Sequence, residues 1–407
     1  MPLEKLKNDI GLIDSKAINK PGKIYLYKNY IFINNQNYGV HIIDNSDSKK
    51  PVNKAFLKIP LNEDISIKND ILYADTMGDL VAINISDINK INVTKRIYID
   101  EFTNNSAFNI DRDKGVQIGY KRTGPYFREN VCGKFFGPQP APVAAPQTES
   151  TGVPNTGQGG SLARFSIVGD YLYTVSNSSI HLYNIKVAAD PTDAGTVIVD
   201  GNRRDIETIY SYKNKLFMGS STGAYIYDNT NPQQPTFITK VEHTRSCDPV
   251  VAEGDKAFVT LRGGSRCQNF TNQLDIIDFA DIQKAKIIKS YPMTNPWGLA
   301  IKSGNLFVCD GSSGLKIFDA KDPLNLKQIT SIEINNPMDI ILNDNNQGIV
   351  VSKDGLHQYD FTGLPDKTNF EELSSIKVEN KDILDEKNVV KEGNTYYYKW
   401  YKEYFDK

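Results

Sequence analysis

The stretch LFVCDGSSGLKIFDAKDPLNLKQITSIEI, residues 306–334, contains three short apolar runs separated by tight polar turns. LFVC (306–309), LKIF (315–318) and QITSIEI (328–334) are bounded by Gly, Ser, Asp, Pro and Asn, the signature of strands joined by hairpins. Just upstream, PWGLAI (296–301) and a Ser-Gly-Asn turn supply a fourth run. The apolar pentamer with a terminal Asp or Asn recurs along the chain. It reads VHIID to Asp44, LVAIN to Asn84, IHLYN to Asn184, AYIYD to Asp228, LDIID to Asp278, LKIFD to Asp319 and LHQYD to Asp360. The spacings are 40, 100, 44, 50, 41 and 41 residues, so the long interval carries an insertion. A terminal Asp or Asn has a local purpose: its side-chain oxygen accepts an amide hydrogen two residues on and sets the turn that follows.

Units of ~40–45 residues with four strands each are the blades of a β-propeller. A parallel α/β barrel would need amphipathic helices between strands, and the sequence has none. The expected fold is all-β, a seven-bladed β-propeller of four-stranded blades; six or eight blades fit the same spacing, because ring closure is not written in it. Residues 1–21 form an N-terminal extension, 22–379 the propeller with a top-face insertion at 101–160, and 380–407 an aromatic C-terminal extension. The 22 Tyr, 18 Phe and 2 Trp rule out global disorder. With 47 Lys+Arg against 49 Asp+Glu, nucleic acid is not an expected partner. No run reaches the ~18–20 apolar residues of a membrane span, and the opening MPLEKLKNDIGLIDSK has no apolar signal core.

GVHIIDNSD, KNDILYADT, LARFSIVGDYLYTVSNSS, RSCDPVVAEGDKAFVTLRGGSRC, NQLDIID, KSYPMTNPWGLAI and LFVCDGSSGLKIFDAKDPLN together resemble the LVIVD-repeat proteins. These are β-propellers of bacterial surfaces, many of them lipoproteins of Bacteroidota. The resemblance covers most of residues 22–365 and implies a cell-surface or outer-membrane lipoprotein. It lends no reaction, and the lipobox cysteine expected of such a protein is absent from the N-terminus.

In a propeller the inner strand A runs down the central channel from the top face, so blade connections and B–C turns share that face. This rule brings Arg203, Arg204, Glu207, His243, Arg245, Asp248, Arg262, Arg266 and Trp297 to one mouth. Loops on a rigid scaffold concentrate binding groups, and Arg and Trp dominate interface hot spots. Asp64, Asp248 and Asp339 each begin an inner strand; a repeated Asp there caps the strand or pairs with a neighbouring blade, or else faces a ligand. His41, His181 and His357 share one pentamer position, that of Lys316, and point between blades, leaving His243 alone in a mouth loop. That distribution argues against a multi-histidine metal centre. Ca²⁺ needs no histidine, but DRDKG (111–115) lacks the third acidic ligand and closing Glu of a calcium loop, and a hairpin turn explains it better. No cofactor is expected.

No GxSxG, P-loop or HExxH is present. Cys247 precedes strand A and Cys267 follows strand B of one hairpin, so antiparallel pairing about Gly254-Asp255 predicts a Cys247–Cys267 disulfide. Cys309 reads as a buried thiol. Within the insertion, AFNIDRDKGVQIGYKR reads as a hairpin. GPQPAPVAAPQTESTGVPNTGQGG reads as an extended loop, either a tolerated surface insertion or an arm over the mouth. The tail NTYYYKWYKEYFDK is expected to pack on the propeller's own side or to stack on a partner. The functional expectation is a non-enzymatic binding or scaffold protein of the bacterial cell surface recognising a protein or glycan through top-face loops, alone or as a subunit of an outer-membrane complex. The alternative is a hydrolase or lyase acting on a carbohydrate or lactone, with carboxylates at the mouth.

Overall fold

All seven pentamers form the third strand, C, of a four-stranded antiparallel blade. All seven terminal residues make the expected turn: Asp44, Asn84, Asn184, Asp228, Asp278, Asp319 and Asp360 each accept the amide two residues on, at 2.8–3.1 Å. Hydroxyl and amide donors from Ser46 and Thr230 hold the carboxyls of Asp44 and Asp228 below their ordinary range. Every blade also shifts register between strands C and D at one place, after the third pentamer residue. Such bulges increase strand twist, and their repetition bends each outer strand alike.

The computed structural model describes residues 3–19, 21–98, 110–111, 115–116, 119–121, 145–147, 156, 158–176, 178–199, 206–220, 222–242, 249–263, 272–378, 389–392 and 395–398. The blades span Pro21–Lys58, Ile65–Tyr98, Phe165–Ile198, Ile206–Glu242, Val250–Pro292, Leu299–Ile332 and Pro337–Lys377. Seven blades are therefore present, each of consecutive strands A to D. On the bottom face, strand-A ends reach the A–B turn of the following blade. Tyr27 Oη accepts from Asp70 N at 2.8 Å and Tyr212 Oη from Gly254 N at 2.7 Å. Lys68 Nζ donates to Gly169 O at 2.6 Å, and Lys302 Nζ to Asn343 O at 2.7 Å.

Ring closure is the part that periodicity left open. Among the described residues no strand is exchanged between the first and last blades. The seam is apolar inside, with Ile24, Ile31, Ile33 and Ile43 against Ile341, Ile349, Val351 and Leu356, and polar outside. There, fully buried Gln358 exchanges two hydrogen bonds with Asn45, at 3.0 and 2.8 Å, and donates to Ser48 O at 3.2 Å. The third pentamer residue is apolar in the six other blades, so LHQYD marks the closing blade. Gln358→Leu strands the Asn45 amide and is expected to cost about 1–3 kcal/mol in urea unfolding; an unchanged midpoint would refute the clasp.

The N-terminal extension is integrated into the fold. Helix Leu3–Lys7 buries Leu6, and strand Gly11–Asp14 pairs with the outer strand of blade 1. Asp79 receives Arg96 Nη1 at 2.8 Å and lies 3.5 Å from Lys7 Nζ. In the insertion, Ile110–Asp111 pairs with Gly115–Val116 as the expected hairpin. The tail does something the sequence did not disclose. Its strand Thr395–Tyr398 pairs on one side with Val389–Glu392 and on the other with insertion strand Gly119–Lys121, joining tail to insertion.

Candidate functional site

The end of the insertion leaves the top face and enters the channel. Strand Gln158–Leu162 pairs antiparallel with the inner strand of blade 1, Gln158 opposite Leu26 and Gly159 opposite Tyr25. It also lies against the inner strands of blades 2, 4, 5, 6 and 7, which only a segment near the propeller axis can do. Strand Ala145–Gln147 pairs with it, and Thr156 bridges Lys68 near the bottom end. Composition alone suggested a loose loop here. Gly159, Gly160 and Ser161 suit the axis because they leave room: a Cβ on Gly160 would sit 2.0 Å from Asp339 Oδ2.

The inner-strand carboxylates hold this strand and the start of blade 3 that follows it. Asp64 Oδ2 accepts from Arg164 N at 2.5 Å and Phe165 N at 3.1 Å, and pairs with buried Lys23 Nζ at 3.0 Å. One carboxylate thereby ties blades 1, 2 and 3. Asp339 Oδ1 accepts from Ser161 N and Oγ at 3.3 and 3.1 Å, and Ser161 Oγ accepts from Leu299 N at 2.8 Å. Asp339 is 1% exposed, and burial holds its carboxyl well above the usual range. Of the two readings of these aspartates, the described geometry of Asp64 and Asp339 is that of strand-capping residues; Asp248 lies outside the described residues.

A related capping group stands at the top end of strand B. Asp75 accepts from Glu63 N, Asp64 N and Asn62 Nδ2 at 2.8–2.9 Å. Asp310 accepts from Thr294 N and Asn295 N and pairs with Lys316 at 2.6 Å. Val81 stands where Lys316 does, so Asp75 has no such cation, and burial pushes it up to about 7.

Of the nine candidate contacts, Glu207, Arg262 and Trp297 lie in the described residues; Arg203, Arg204, His243, Arg245, Asp248 and Arg266 lie outside them, as do Cys247 and Cys267. Those three come together. The Arg262 guanidinium carbon lies 3.3 Å from the centre of the Trp297 ring, and Thr260 Oγ1 donates to Trp297 O at 2.6 Å. Burial lowers Arg262 to about 10, Glu207's charge acting in the opposite sense, so the guanidinium is cationic at neutral pH. The result is a cation–aromatic pair fixed to blades 5 and 6, with a carboxylate nearby. Pairs of this kind recognise anionic or hydroxyl-rich partners. Sequence reasoning missed Lys23, Gly160 and Ser161. Their one signal, a small-residue run closing the insertion, also fits a linker.

The repeat position of the histidines predicts side chains between blades, but their described partners lie on strand D of their own blades. His181 Nδ1 meets Thr196 Oγ1 at 3.0 Å and His357 Nδ1 meets Glu372 Oε1 at 2.5 Å, whereas His41 is fully buried. Cys309 is buried and forms no disulfide, as expected of a core thiol. Among the described residues no three His, Cys, Asp or Glu side chains converge as a metal site, and no helix is long and apolar enough to cross a membrane.

No protein-family model matches the chain, and no curated protein matches it in sequence. Solved structures share its fold. A protein from Lactobacillus plantarum superposes with a TM-score of 0.54 at 12% identity, over 88% of this chain and 98% of that one. The periplasmic gluconolactonase of Pseudomonas aeruginosa does so with 0.54 at 11%, over 88% and 96%. PorZ, an essential surface component of the type-IX secretion system of Porphyromonas gingivalis, gives 0.50 at 12%, over 89% of this chain and 39% of PorZ. At such identities the likeness establishes the β-propeller fold, and these relatives span both an enzyme and a secretion component.

Proposed function

We propose that this chain is a non-enzymatic binding or scaffold propeller of the bacterial surface, of the LVIVD-repeat kind, that recognises a protein or glycan partner through its top-face loops. The observation that carries this reading is the occupied channel. The axis where propeller enzymes gather catalytic groups holds the chain's own strand; Asp339 is committed to Ser161 of that strand and Asp64 to the first amides of blade 3. What stands at the top face instead is the half-buried Arg262–Trp297 pair. The surface location rests on the repeat resemblance, with PorZ as a bacterial surface component to which this chain's fold is similar.

The test is affinity capture from native membranes with the full chain, comparing wild type with Trp297→Ala and Arg262→Ala. Loss of a hot-spot residue costs about 2 kcal/mol, so captured partner should fall roughly 30-fold. Recovery of the protein alone, or equal capture by all three, would sink the reading. Turnover of a sugar lactone that disappears in Glu207→Gln would establish the hydrolase alternative in its place.

A further inference from the structure

Blade 1 shows what the outer edge of a blade accepts. Strand Gly11–Asp14 pairs with its strand D, Ile13 opposite Phe56, and Phe56 is buried. In blades 2 to 7 strand D is the last strand of its sheet among the described residues. Its outward N–H and C=O groups are therefore a template for a further strand. In blade 3 the residues that turn these groups outward can be named. Val199 N donates to Ser178 O at 2.9 Å, and hydrogen-bonded pairs alternate along an antiparallel ladder. Thr196 and Ile198, opposite His181 and Ser179, therefore direct their N–H and C=O away from the blade.

At these two positions the other open edges carry a charge or a proline, which are the residues that discourage strand addition. They are Arg96 in blade 2, Lys240 and Glu242 in blade 4, Pro292 in blade 5, Glu333 in blade 6 and Lys377 in blade 7. Blade 3 has Thr196 and Ile198 instead, and no residue of Ala194–Ile198 is charged or a proline. The charge just before it, Asp193, accepts from Gly195 N at 2.9 Å. Five of the seven residues of Thr192–Ile198 are exposed, Ile198 to 62%, so the edge lies open along its length.

We propose that the outer strand of blade 3 is a dimer interface, pairing antiparallel with the same strand of a second copy about a two-fold axis at Thr196. The strand's own composition selects a second copy. Each Thr196 faces the other and exchanges two N–H···O bonds with it; Val197 faces Gly195, and Ile198 faces Ala194. Each large side chain thus meets a small one, and no charge enters the pairing. The same pairing in blade 4 would set Lys240 against Lys240, and in blade 2 Arg96 against Arg96. Two four-stranded blades become one continuous sheet. Because the joined strands run in opposite directions, the two top faces point opposite ways.

The test is sedimentation equilibrium of the full chain over about a hundredfold range of concentration, where a reversible monomer–dimer equilibrium is expected. Thr196→Lys sets two ammonium groups face to face and should weaken the dimer about 5-fold. Ile198→Lys removes an apolar contact from each copy and should weaken it about 10-fold or more. Lys240 and Lys377 hold these positions in blades 4 and 7, so both variants should fold with unchanged thermal midpoints. Ser331→Lys, at the Thr196 position of blade 6, should leave the dimer intact. A chain that stays monomeric throughout would overturn the proposal, as would a dimer that survives both blade 3 lysines or that Ser331→Lys weakens equally. A monomeric chain whose membrane-captured partner is lost in Ile198→Lys would assign the edge to a foreign strand, and the dimer would fall.

Discussion

Gly298→Ala is expected to destabilise the protein by about 3 kcal/mol, the upper part of the range for overpacking a core. A Cβ there would lie 2.4 Å from Asp339 Oδ1, 2.8 Å from Met338 O and 2.9 Å from Ser161 Oγ. The Met338 carbonyl is backbone that accepts from Gly298 N at 2.9 Å, so it has nowhere to retreat. Ser161 is the channel strand itself. Gly11→Ala, whose Cβ would meet nothing within 4 Å, serves as the control and should change stability by less than about 0.5 kcal/mol. A sharper form uses Gly160, whose Cβ would overlap the Asp339 carboxylate alone. Removing that carboxylate should relieve the clash, so Gly160→Ala and Asp339→Ala should be non-additive by about 1 kcal/mol or more in a double-mutant cycle. Additivity within the error of urea unfolding would mean that the two residues do not share space, and the axial placement of Gln158–Leu162 would fall.

What was legible in the sequence follows from which interactions are local. The Asx turns reach two residues along the chain, so seven Asp or Asn residues at one repeat position announced seven real turns. The channel strand was not legible, because its partners lie as far as Asp339 and Leu299 and its composition is that of a linker. Ring closure falls between these cases. Gln358 breaks the apolar pattern of its position, yet only its pairing with Asn45, at the other end of the chain, gives that break a meaning. At the top face, repeat geometry brought Glu207, Arg262 and Trp297 together, since all three stand where blade connections and B–C turns must meet.

The histidines also show how one repeat position acquires three chemistries, and His41 carries a pH prediction. The cross-strand partner decides. His181 stands opposite Thr196 and bonds its hydroxyl, whereas His41 stands opposite Phe56, its ring edge-on at 4.8 Å. Neither His41 nitrogen has a hydrogen-bond partner among the described residues, and Lys16 Nζ lies 5.2 Å from the same Phe56 ring. Burial, reinforced by the Lys16 charge, lowers His41 from 6.5 to about 4. Above pH 6.5 folded and unfolded chains both carry a neutral imidazole, and the full stability is present. As pH falls from 6.5 toward 4 the unfolded chain takes up a proton that the folded one refuses, so stability drops by up to ~1.4 kcal/mol per pH unit, about 3 kcal/mol in all. Asp75 and Asp339, both held up by burial, act in the opposite sense, because the folded state binds their protons more tightly. The measurement is therefore a difference: urea unfolding of wild type and His41→Val from pH 7.5 to 4.5, valine being what blade 2 carries as Val81. Wild type should lose about 2–3 kcal/mol relative to the variant over that interval. Parallel profiles would show that His41 takes up its proton in the folded ring, and that the space between strand C and Phe56 admits water.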